Sequence, residues 1–153
     1  MIVEGTHTFP GPREVVWALL LDPDVLAMTM PGATSITRVS EDRYEGKMGV
    51  GIGPITAAEF DVVITMTEKI PPEQYQMQID GRGRFGFTRG KAAVTLVADG
   101  DSTVMHYAAD MTVGGKIAAV GQRLLDSVSR MMLKQGLEAM SAELDRRLGK
   151  DNA

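Results

Sequence analysis

The sequence contains no cysteine, and its 153 residues include only two histidines, His7 and His106. The lack of cysteine excludes disulfides, thiolate zinc sites and cysteine nucleophiles. The two histidines stand far apart in the sequence and away from any cluster of carboxylates, so the three or four converging ligands of a metal site are not evident. We therefore expect no metal and no other cofactor, with each histidine either solvated or at the edge of the core.

A basic surplus, a long apolar run and a leader-like segment are also missing. The net charge is −4 and the pI is about 5.2, which argues against a nucleic-acid partner. No 18 consecutive residues are apolar, and Glu4 and His7 interrupt the segment where a signal peptide would carry its apolar core. We expect a soluble, cytoplasmic protein.

Aromatic residues are scarce, and methionine is abundant. The chain has one tryptophan, three tyrosines and four phenylalanines, against eleven methionines. Because methionine is flexible and fills irregular spaces, a methionine-rich interior is compatible with an adaptable cavity. It is equally compatible with an ordinary core, and the composition does not decide between the two.

The strongest pattern lies near the end of the chain, over residues 116–148, and predicts one amphipathic helix about 50 Å long. Asp126/Arg130 and Glu143/Arg147 have the favourable acid-first spacing on its polar face. An apolar residue or glycine recurs at every fourth position, and a neighbouring row widens the face: Val120, Leu124, Val128, Met132, Gly136, Met140, Leu144 and Leu148, with Ile117, Gly121, Leu125, Leu133 and Leu137.

Two glycines, Gly121 and Gly136, fall inside this predicted helix. Each costs about 1 kcal/mol relative to alanine in a helix interior. Glycine at these positions either lets a neighbouring strand come close or leaves room for a cavity.

The rest of the chain predicts a sheet and two short helices. A strand over residues 2–9 is followed by a helix that begins near Pro12, and Asp22-Pro23 then caps a second helix. From residue 34 to residue 113, alternating apolar and polar residues separated by turns predict six more antiparallel strands. The predicted fold is therefore α+β: a curved seven-stranded sheet wrapped on a long C-terminal helix, in one domain over residues 1–149 with a short tail at 150–153.

A curved sheet and a straight helix tend to leave a cavity between them, and such ligand pockets have apolar walls with few polar groups. The alternation gives the following candidates for the lining of this cavity: Met48, Ile64, Met66, Met77, Ile79, Phe85, Phe87, Met105, Tyr107, Met111, Leu124, Val128 and Met132. A register error of one residue would move a candidate to the other face of the sheet.

The segment 81–86 matches Gly-x-Gly-x-x-Gly, the dinucleotide-binding pattern. That pattern requires a helix next, whose N-terminus holds the pyrophosphate, whereas residues 87–97 read as a strand. The glycines are better explained by a sharp bend or bulge in the sheet. Ser127 and Ser129 lie on the predicted long helix, and no histidine lies near them in the sequence. No base for a nucleophilic triad is therefore evident.

Four basic residues cluster around this same turn: Arg82, Arg84, Arg89 and Lys91. They form either a solvated loop or a basic lip that contacts acidic lipid headgroups or a partner protein.

Five segments of the chain point to a known family: Asp-Pro-Asp-Val-Leu (22–26), Met-Pro-Gly-Ala (30–33), Gly-Val-Gly-Ile-Gly-Pro-Ile (49–55), Gly-Arg-Gly-Arg-Phe-Gly (81–86) and residues 113–125. The most specific of them is the block around Gly114, Gly115 and Lys116. With these segments, the sequence as a whole resembles the CoxG family of carbon monoxide dehydrogenase proteins, within the START-like superfamily. Where family members often have cysteine after Pro-Gly, this chain has Ala33, so a role of that cysteine would be absent here.

The resemblance implies the helix-grip fold and a non-catalytic accessory role in the maturation or membrane association of a molybdenum hydroxylase. The ligand implied is a hydrophobic small molecule, a lipid or a quinone-like compound, and the protein would be cytoplasmic, with contact at the inner face of the membrane. The alternative is a cyclase- or aromatase-like enzyme, which shares the superfamily fold. An enzyme should place an acid or base inside the pocket, and the strand pattern offers only Tyr107 as an inward polar group. The oligomeric state is left open.

Overall fold

A computed structural model describes residues 1–149, except for the side chains of Thr56 and Ala57. The predicted tail at 150–153 lies outside the described residues. The elements in chain order are β1 (Ile2–Phe9), α1 (Arg13–Leu21), α2 (Pro23–Thr29), β2 (Ala33–Ser40), β3 (Arg43–Ile52), β4 (Ile55–Ile70), β5 (Gln74–Gly83), β6 (Gly86–Asp99), β7 (Ser102–Gly114), a 3-10 helix (Lys116–Val120) and α3 (Gln122–Arg147).

The described strands form one antiparallel sheet of seven strands in the order β1-β7-β6-β5-β4-β3-β2. Strands β2 to β7 form a meander because each pair is joined by a short turn. β1 returns to pair with β7, from Ile2 opposite Asp110 to Phe9 opposite Thr103. The predicted α+β helix-grip architecture is confirmed.

The two short helices begin and end where the sequence indicates. The Asp22 side chain accepts a hydrogen bond of 2.9 Å from the Asp24 amide, and Pro23 occupies the first turn of α2. The Tyr44 hydroxyl donates to the Leu21 carbonyl at 2.6 Å and attaches the end of α1 to β3. This corner holds the junction of α1 and α2 against β3.

The predicted helix over residues 116–148 is wrong at its start. Residues 116–120 form a 3-10 helix, and Gly121 follows with φ 98° and ψ 152°, a conformation that a helix does not contain. Helix α3 has 26 residues and is about 39 Å long, not 50 Å. Gly121 therefore ends one element and begins the next.

Gly136 does lie inside α3, and a neighbour does come close, but the neighbour is not a strand. A methyl group at this position would lie 3.6 Å from the Pro31 ring and 3.6 Å from the Thr29 carbonyl oxygen. The glycine thus faces the end of α2 and the turn after it.

The inner face of the sheet holds two apolar clusters. The main core packs the sheet against α1, α2 and the second half of α3, with Phe9, Leu19, Tyr44, Leu96 and Leu144 almost fully buried. The smaller cluster lies where α3 begins, and its buried members are Ile52, Ala58, Phe60, Ile117 and Leu125.

Helix α3 is fastened to the corner between α1 and α2 near its C-terminus. Glu143 is buried and forms ion pairs with Arg146 and, at 3.1 Å, with Arg147. Arg147 also donates to the Asp22 carboxylate at 3.2 Å. These contacts fix where α3 runs across the sheet.

Candidate functional site

A cleft of about 750 Å³ opens between β1, β7 and α3. This volume lies within the range of about 300–1,000 Å³ that is typical of small-molecule sites. The lining residues are Ile2, Val3, Glu4, Thr6 and His7 from β1, Tyr107 from β7, and Arg130, Leu133, Lys134, Leu137 and Glu138 from α3.

Strand β1 and helix α3 run side by side along this cleft. At one end the Ser129 hydroxyl lies 3.9 Å from the Met1 sulfur, and at the other end His7 Nε2 lies 2.7 Å from the Ser141 hydroxyl. Six residues of strand span about 20 Å and twelve residues of helix span about 18 Å. The two elements therefore cover about the same distance between these contacts. The cleft is a groove about 20 Å long with a contact at each end.

The groove follows the unpaired edge of β1. Met1 and Met111 exchange both backbone hydrogen bonds at 2.8 Å, so the odd-numbered residues of β1 bond to β7. The amides and carbonyls of Ile2, Glu4 and Thr6 consequently point away from β7, and all three residues line the groove. Within the described chain these edge groups meet no further strand.

The floor of the groove is apolar. Leu137 is buried in the main core, while Leu133 and Tyr107 pack against that core from the groove side. The Tyr107 ring lies directly over Gly5: a methyl group there would come within 2.7 Å of the tyrosine oxygen. The lack of a side chain at Gly5 thus leaves room for the hydroxyl end of the Tyr107 ring against β1 at the base of the groove.

The rim of the groove is charged. Glu4 on β1 and three residues on α3, Arg130, Lys134 and Glu138, are exposed and line the groove. The three helix residues are four positions apart, so their side chains form one row along α3 on the side facing β1.

His7 is a half-buried titratable group at the end of the groove that Ser141 closes. Burial lowers its pKa from the ordinary value, and the negative charge of Glu138 opposes that shift to a smaller extent. The imidazole is therefore neutral near pH 7 and can exchange one hydrogen bond with Ser141. Among the described residues, the groove holds a neutral base but no second group in contact with it that could act as an acid.

The residues predicted to line a cavity occupy several places. Tyr107 lines the groove. Ile64, Met66 and Met105 are buried in the main core, Met77 and Ile79 pack against it, and Phe85, Leu124 and Val128 pack in the smaller cluster. Met48 and Ile64 border a void of about 10 Å³, which is too small for a ligand. Met111 lies over Gly90 on the inner face, and Met132 is half-buried on α3.

Phe87 lies on the opposite face of the sheet from the position predicted for it. The buried residues of β6 are Ala92, Val94 and Leu96, so an odd-numbered residue of this strand faces outward. The Arg89 guanidinium stacks over the Phe87 ring on that outer face, 5.0 Å from its centre. Phe87 therefore cannot line a space between the sheet and α3.

The segment 81–86 is a hairpin between β5 and β6, as its sequence context indicates. Gly83 pairs with Gly86, and a methyl group on Gly83 would collide with the Glu59 carbonyl oxygen. A strand follows where a dinucleotide site requires a helix N-terminus.

The four basic residues around this hairpin do not line the groove. Arg82 extends over the outer face, 3.5 Å from the Asp80 carboxylate, and Arg84 is exposed in the turn. Arg89 and Lys91 also lie on the outer face, opposite Asp80 and Asp110 in the strand register. The predicted lip is thus a mixed-charge patch with Arg84 at its tip.

The sequence does not single out most of the residues that form the groove. Arg130, Lys134 and Glu138 read as an ordinary solvated helix face, and Ser141 carries no distinguishing signal. One signal is present: His7 is separated by even numbers of residues from Val3, Gly5 and Phe9, so it shares their face of β1, which is the inner face. Within residues 1–149, no three histidine or carboxylate side chains come together as metal ligands would.

The family model of CoxG, a subunit of carbon monoxide dehydrogenase, matches residues 5–145. No protein with curated function matches this chain. A conserved protein from Geobacillus kaustophilus has 28% sequence identity, with a TM-score of 0.89 over 95% of this chain and 96% of that chain.

Two more distant structures share the fold. A START superfamily protein from Mycobacterium smegmatis has 12% identity and a TM-score of 0.73, over 95% of this chain and 97% of that chain. The ZhuI aromatase/cyclase of Streptomyces sp. R1128 has 16% identity and a TM-score of 0.70, over 97% and 95%. At this identity the likeness establishes the fold alone. The match over residues 5–145 shows that the chain belongs to the CoxG family of carbon monoxide dehydrogenase proteins.

Proposed function

We propose that this protein is a non-catalytic accessory protein that binds a hydrophobic small molecule, a lipid or a quinone-like compound, in the groove between β1 and α3. The observation that carries the proposal is the groove itself: about 750 Å³ with an apolar floor, on a chain of this family. Its volume is sufficient for a chain-bearing ligand, whereas the void near Met48 is not.

The ligand would lie along the groove with its apolar part on Leu133, Leu137 and Tyr107. The groove is open along its side, so a long chain can enter without the main core separating. No helix in the described chain is both long and apolar enough to cross a membrane. A carrier of this kind would take its ligand from a membrane surface and present it to a molybdenum hydroxylase of the carbon monoxide dehydrogenase type.

Mass spectrometry of an organic extract of the purified protein tests the proposal, before and after incubation with vesicles that contain a quinone and phospholipids. Leu133→Lys places a charge on the floor of the groove. Met131→Lys is the matched control, because Met131 is 51% exposed and does not line the groove. We expect a stoichiometric ligand in the wild type and in the Met131 variant, and its loss in the Leu133 variant. Equal ligand content in all three, or none in any, would overturn the assignment.

A second candidate is an enzyme that acts on a hydrophobic substrate, as a cyclase or aromatase does. The observation in its favour is the neutral imidazole of His7 in the groove beside Tyr107. Binding takes precedence because the imidazole is held by Ser141 at 2.7 Å and has no acid partner in contact with it among the described residues. If the protein is an enzyme, His7→Ala should abolish turnover of a hydrophobic substrate that the wild type converts, whereas Ser127→Ala, at an exposed residue outside the groove, should not.

A further inference from the structure

The groove has two cations on its rim whose charges the described chain leaves without an ion pair. Arg130 and Lys134 both line the groove and are exposed, and neither forms a salt bridge with a described carboxylate. They are one helical turn apart, a spacing at which like charges repel each other.

Arg130 does not pair with Asp126, the carboxylate that the sequence places one turn before it in the helix. Asp126 precedes Arg130 by four residues, the favourable spacing for an ion pair. Its carboxylate instead accepts a hydrogen bond of 2.8 Å from the Gln122 side chain. The equivalent pair near the end of the helix, Glu143 and Arg147, does form, at 3.1 Å. The guanidinium of Arg130 is therefore available to the groove.

Two carboxylates share the rim, and their positions define where an anion could lie. Glu138 is close enough to His7 to act on its charge, so it belongs to the end of the groove that Ser141 closes. Arg130 is adjacent to Ser129, which contacts Met1 at the other end. Glu4 lies between these two ends on β1. Lys134 lies near the middle of α3 along the groove, one helical turn from both Arg130 and Glu138. The half of the groove from Arg130 to Lys134 is therefore cationic, and the end at Glu138 is acidic.

The unpaired edge of β1 adds a hydrogen-bond donor in the cationic half. The Ile2 amide points away from β7, and Ile2 lines the groove next to Met1, at the end where Arg130 lies. Backbone amides and cations together favour a charged acceptor, because hydrogen bonds to ionised groups are shorter and about twice as strong as neutral ones.

From this arrangement we infer that the ligand is an anionic amphiphile, whose carboxylate or phosphate head lies between Arg130 and Lys134 and whose apolar chain follows Leu133, Leu137 and Tyr107 toward His7. This inference rests on the proposed function, since it names the class of ligand for the same groove. Of the ligands named there, it favours a lipid with an anionic head, and it predicts weaker binding of an uncharged compound of the same length.

A matched pair of probes tests the inference: a dansyl-labelled undecanoate and its methyl ester, followed by fluorescence titration. The two probes have the same chain and differ in charge. We expect the acid to bind about tenfold more tightly than the ester, and this difference to shrink at high salt. In Arg130→Gln/Lys134→Gln the two probes should bind alike. The control Arg89→Gln/Lys91→Gln removes two cations from the outer face and should keep the tenfold preference.

Removal of the negative charges on the rim should have the opposite effect on the affinity for the acidic probe. Glu4→Gln and Glu138→Gln should each tighten binding of the acid and leave the ester unchanged. If both probes bind the wild type equally, the anionic head is wrong and the hydrophobic site stands. If neither probe binds, both the inference and the proposed function at this groove are wrong.

The source of the anion is resolved by competition. Free dodecanoate, phosphatidylglycerol vesicles and phosphatidylcholine vesicles are each added to protein loaded with the acidic probe. Displacement by dodecanoate in the absence of vesicles identifies a free acid as sufficient. Displacement by vesicles of phosphatidylglycerol, but by neither dodecanoate nor phosphatidylcholine vesicles, identifies a phospholipid headgroup. Failure of all three competitors to displace the probe would overturn the inference.

Discussion

His7 Nε2 lies 2.7 Å from the Ser141 hydroxyl, although 134 residues separate the two in the sequence. This hydrogen bond joins the edge strand β1 to helix α3 and closes one end of the groove. Between this bond and the contact of Ser129 with Met1 at the other end, the cleft separates the two elements. The position of α3 relative to the edge of the sheet therefore depends in part on one side-chain contact.

We expect His7→Ala and Ser141→Ala each to lower the free energy of unfolding by about 1 kcal/mol, since the bond is partly buried. In a double-mutant cycle the two changes should not add, because each removes the same bond. Urea denaturation of the four proteins measures the coupling. The control pair is His106→Ala and Ser141→Ala, because His106 is exposed on the outer face. Full additivity in the His7 cycle would mean that the bond contributes nothing to stability.

The strand pattern predicts this architecture well because alternation is a local property of the chain. Residues such as Ile64, Met66 and Met105 face inward in both the prediction and the structure. The prediction for Phe87 is wrong although the same rule applies to it. Ala92, Val94 and Leu96 are the buried residues of β6, so alternation within this one strand already turns the odd-numbered Phe87 outward. The error is to group Phe87 with Phe85, which precedes β6 in the turn.

The groove could not be predicted in the same way. It exists because α3 runs beside the unpaired edge of β1, and this depends on contacts between residues far apart in the sequence. Arg130, Lys134 and Glu138 form an ordinary polar helix face until β1 is placed next to them. The prediction at Gly121 fails for a related reason: the step of four continues through it, while its backbone conformation ends the helix pattern there.

Glu143 should make the protein sensitive to acid. Hydrogen bonds from Arg146, and then from Arg147, hold the pKa of this carboxyl at about 2, below its ordinary value of 4.5. A carboxyl with a lowered pKa stabilises the folded state above its unfolded pKa. That contribution is lost as the pH falls from about 4.5 toward 2.

Comparison of the wild type with Glu143→Gln measures this contribution. We expect the variant to be less stable in urea at pH 7, because Arg146 and Arg147 lose their charged partner. The difference should decrease as the pH falls below 4.5. Glu59→Gln is the control, since Glu59 is an exposed strand residue. A stability difference that stays constant down to pH 3 would show that the charge of Glu143 is not responsible.

The basic residues of the β5–β6 hairpin provide a test of membrane contact. Arg84 is exposed at the tip and Arg82 lies beside Asp80. Arg82→Glu/Arg84→Glu should weaken binding to anionic vesicles, and the effect should be largest at low salt. Arg43→Glu/Lys47→Glu changes the net charge equally on another part of the outer face and should have a smaller effect. Flotation with phosphatidylglycerol vesicles measures the binding of both variants. If both lose the same amount of binding, the change in net charge alone explains the effect, and the hairpin makes no specific contact.

The two glycines of the predicted C-terminal helix should respond to alanine in opposite directions. At Gly136, the nearest atoms to an added methyl group are 3.6 Å away, an ordinary contact distance. Because alanine is about 1 kcal/mol better than glycine inside a helix, Gly136→Ala should stabilise the protein by about 0.5–1 kcal/mol. At Gly121, nothing lies near the methyl group, yet φ is 98° and ψ is 152°. That backbone region is essentially restricted to glycine, so Gly121→Ala should cost about 1–3 kcal/mol.

Thermal and urea unfolding of both variants decides the matter, because the sequence pattern alone treats the two positions alike. A steric explanation predicts that Gly121→Ala is harmless, since the space around it is empty. A conformational explanation predicts that it is the damaging change of the two. Stabilisation at both positions would show that α3 can extend through Gly121 toward residue 116 without loss. The break between the 3-10 helix and α3 would then be a preference of the chain, since the fold would not require it.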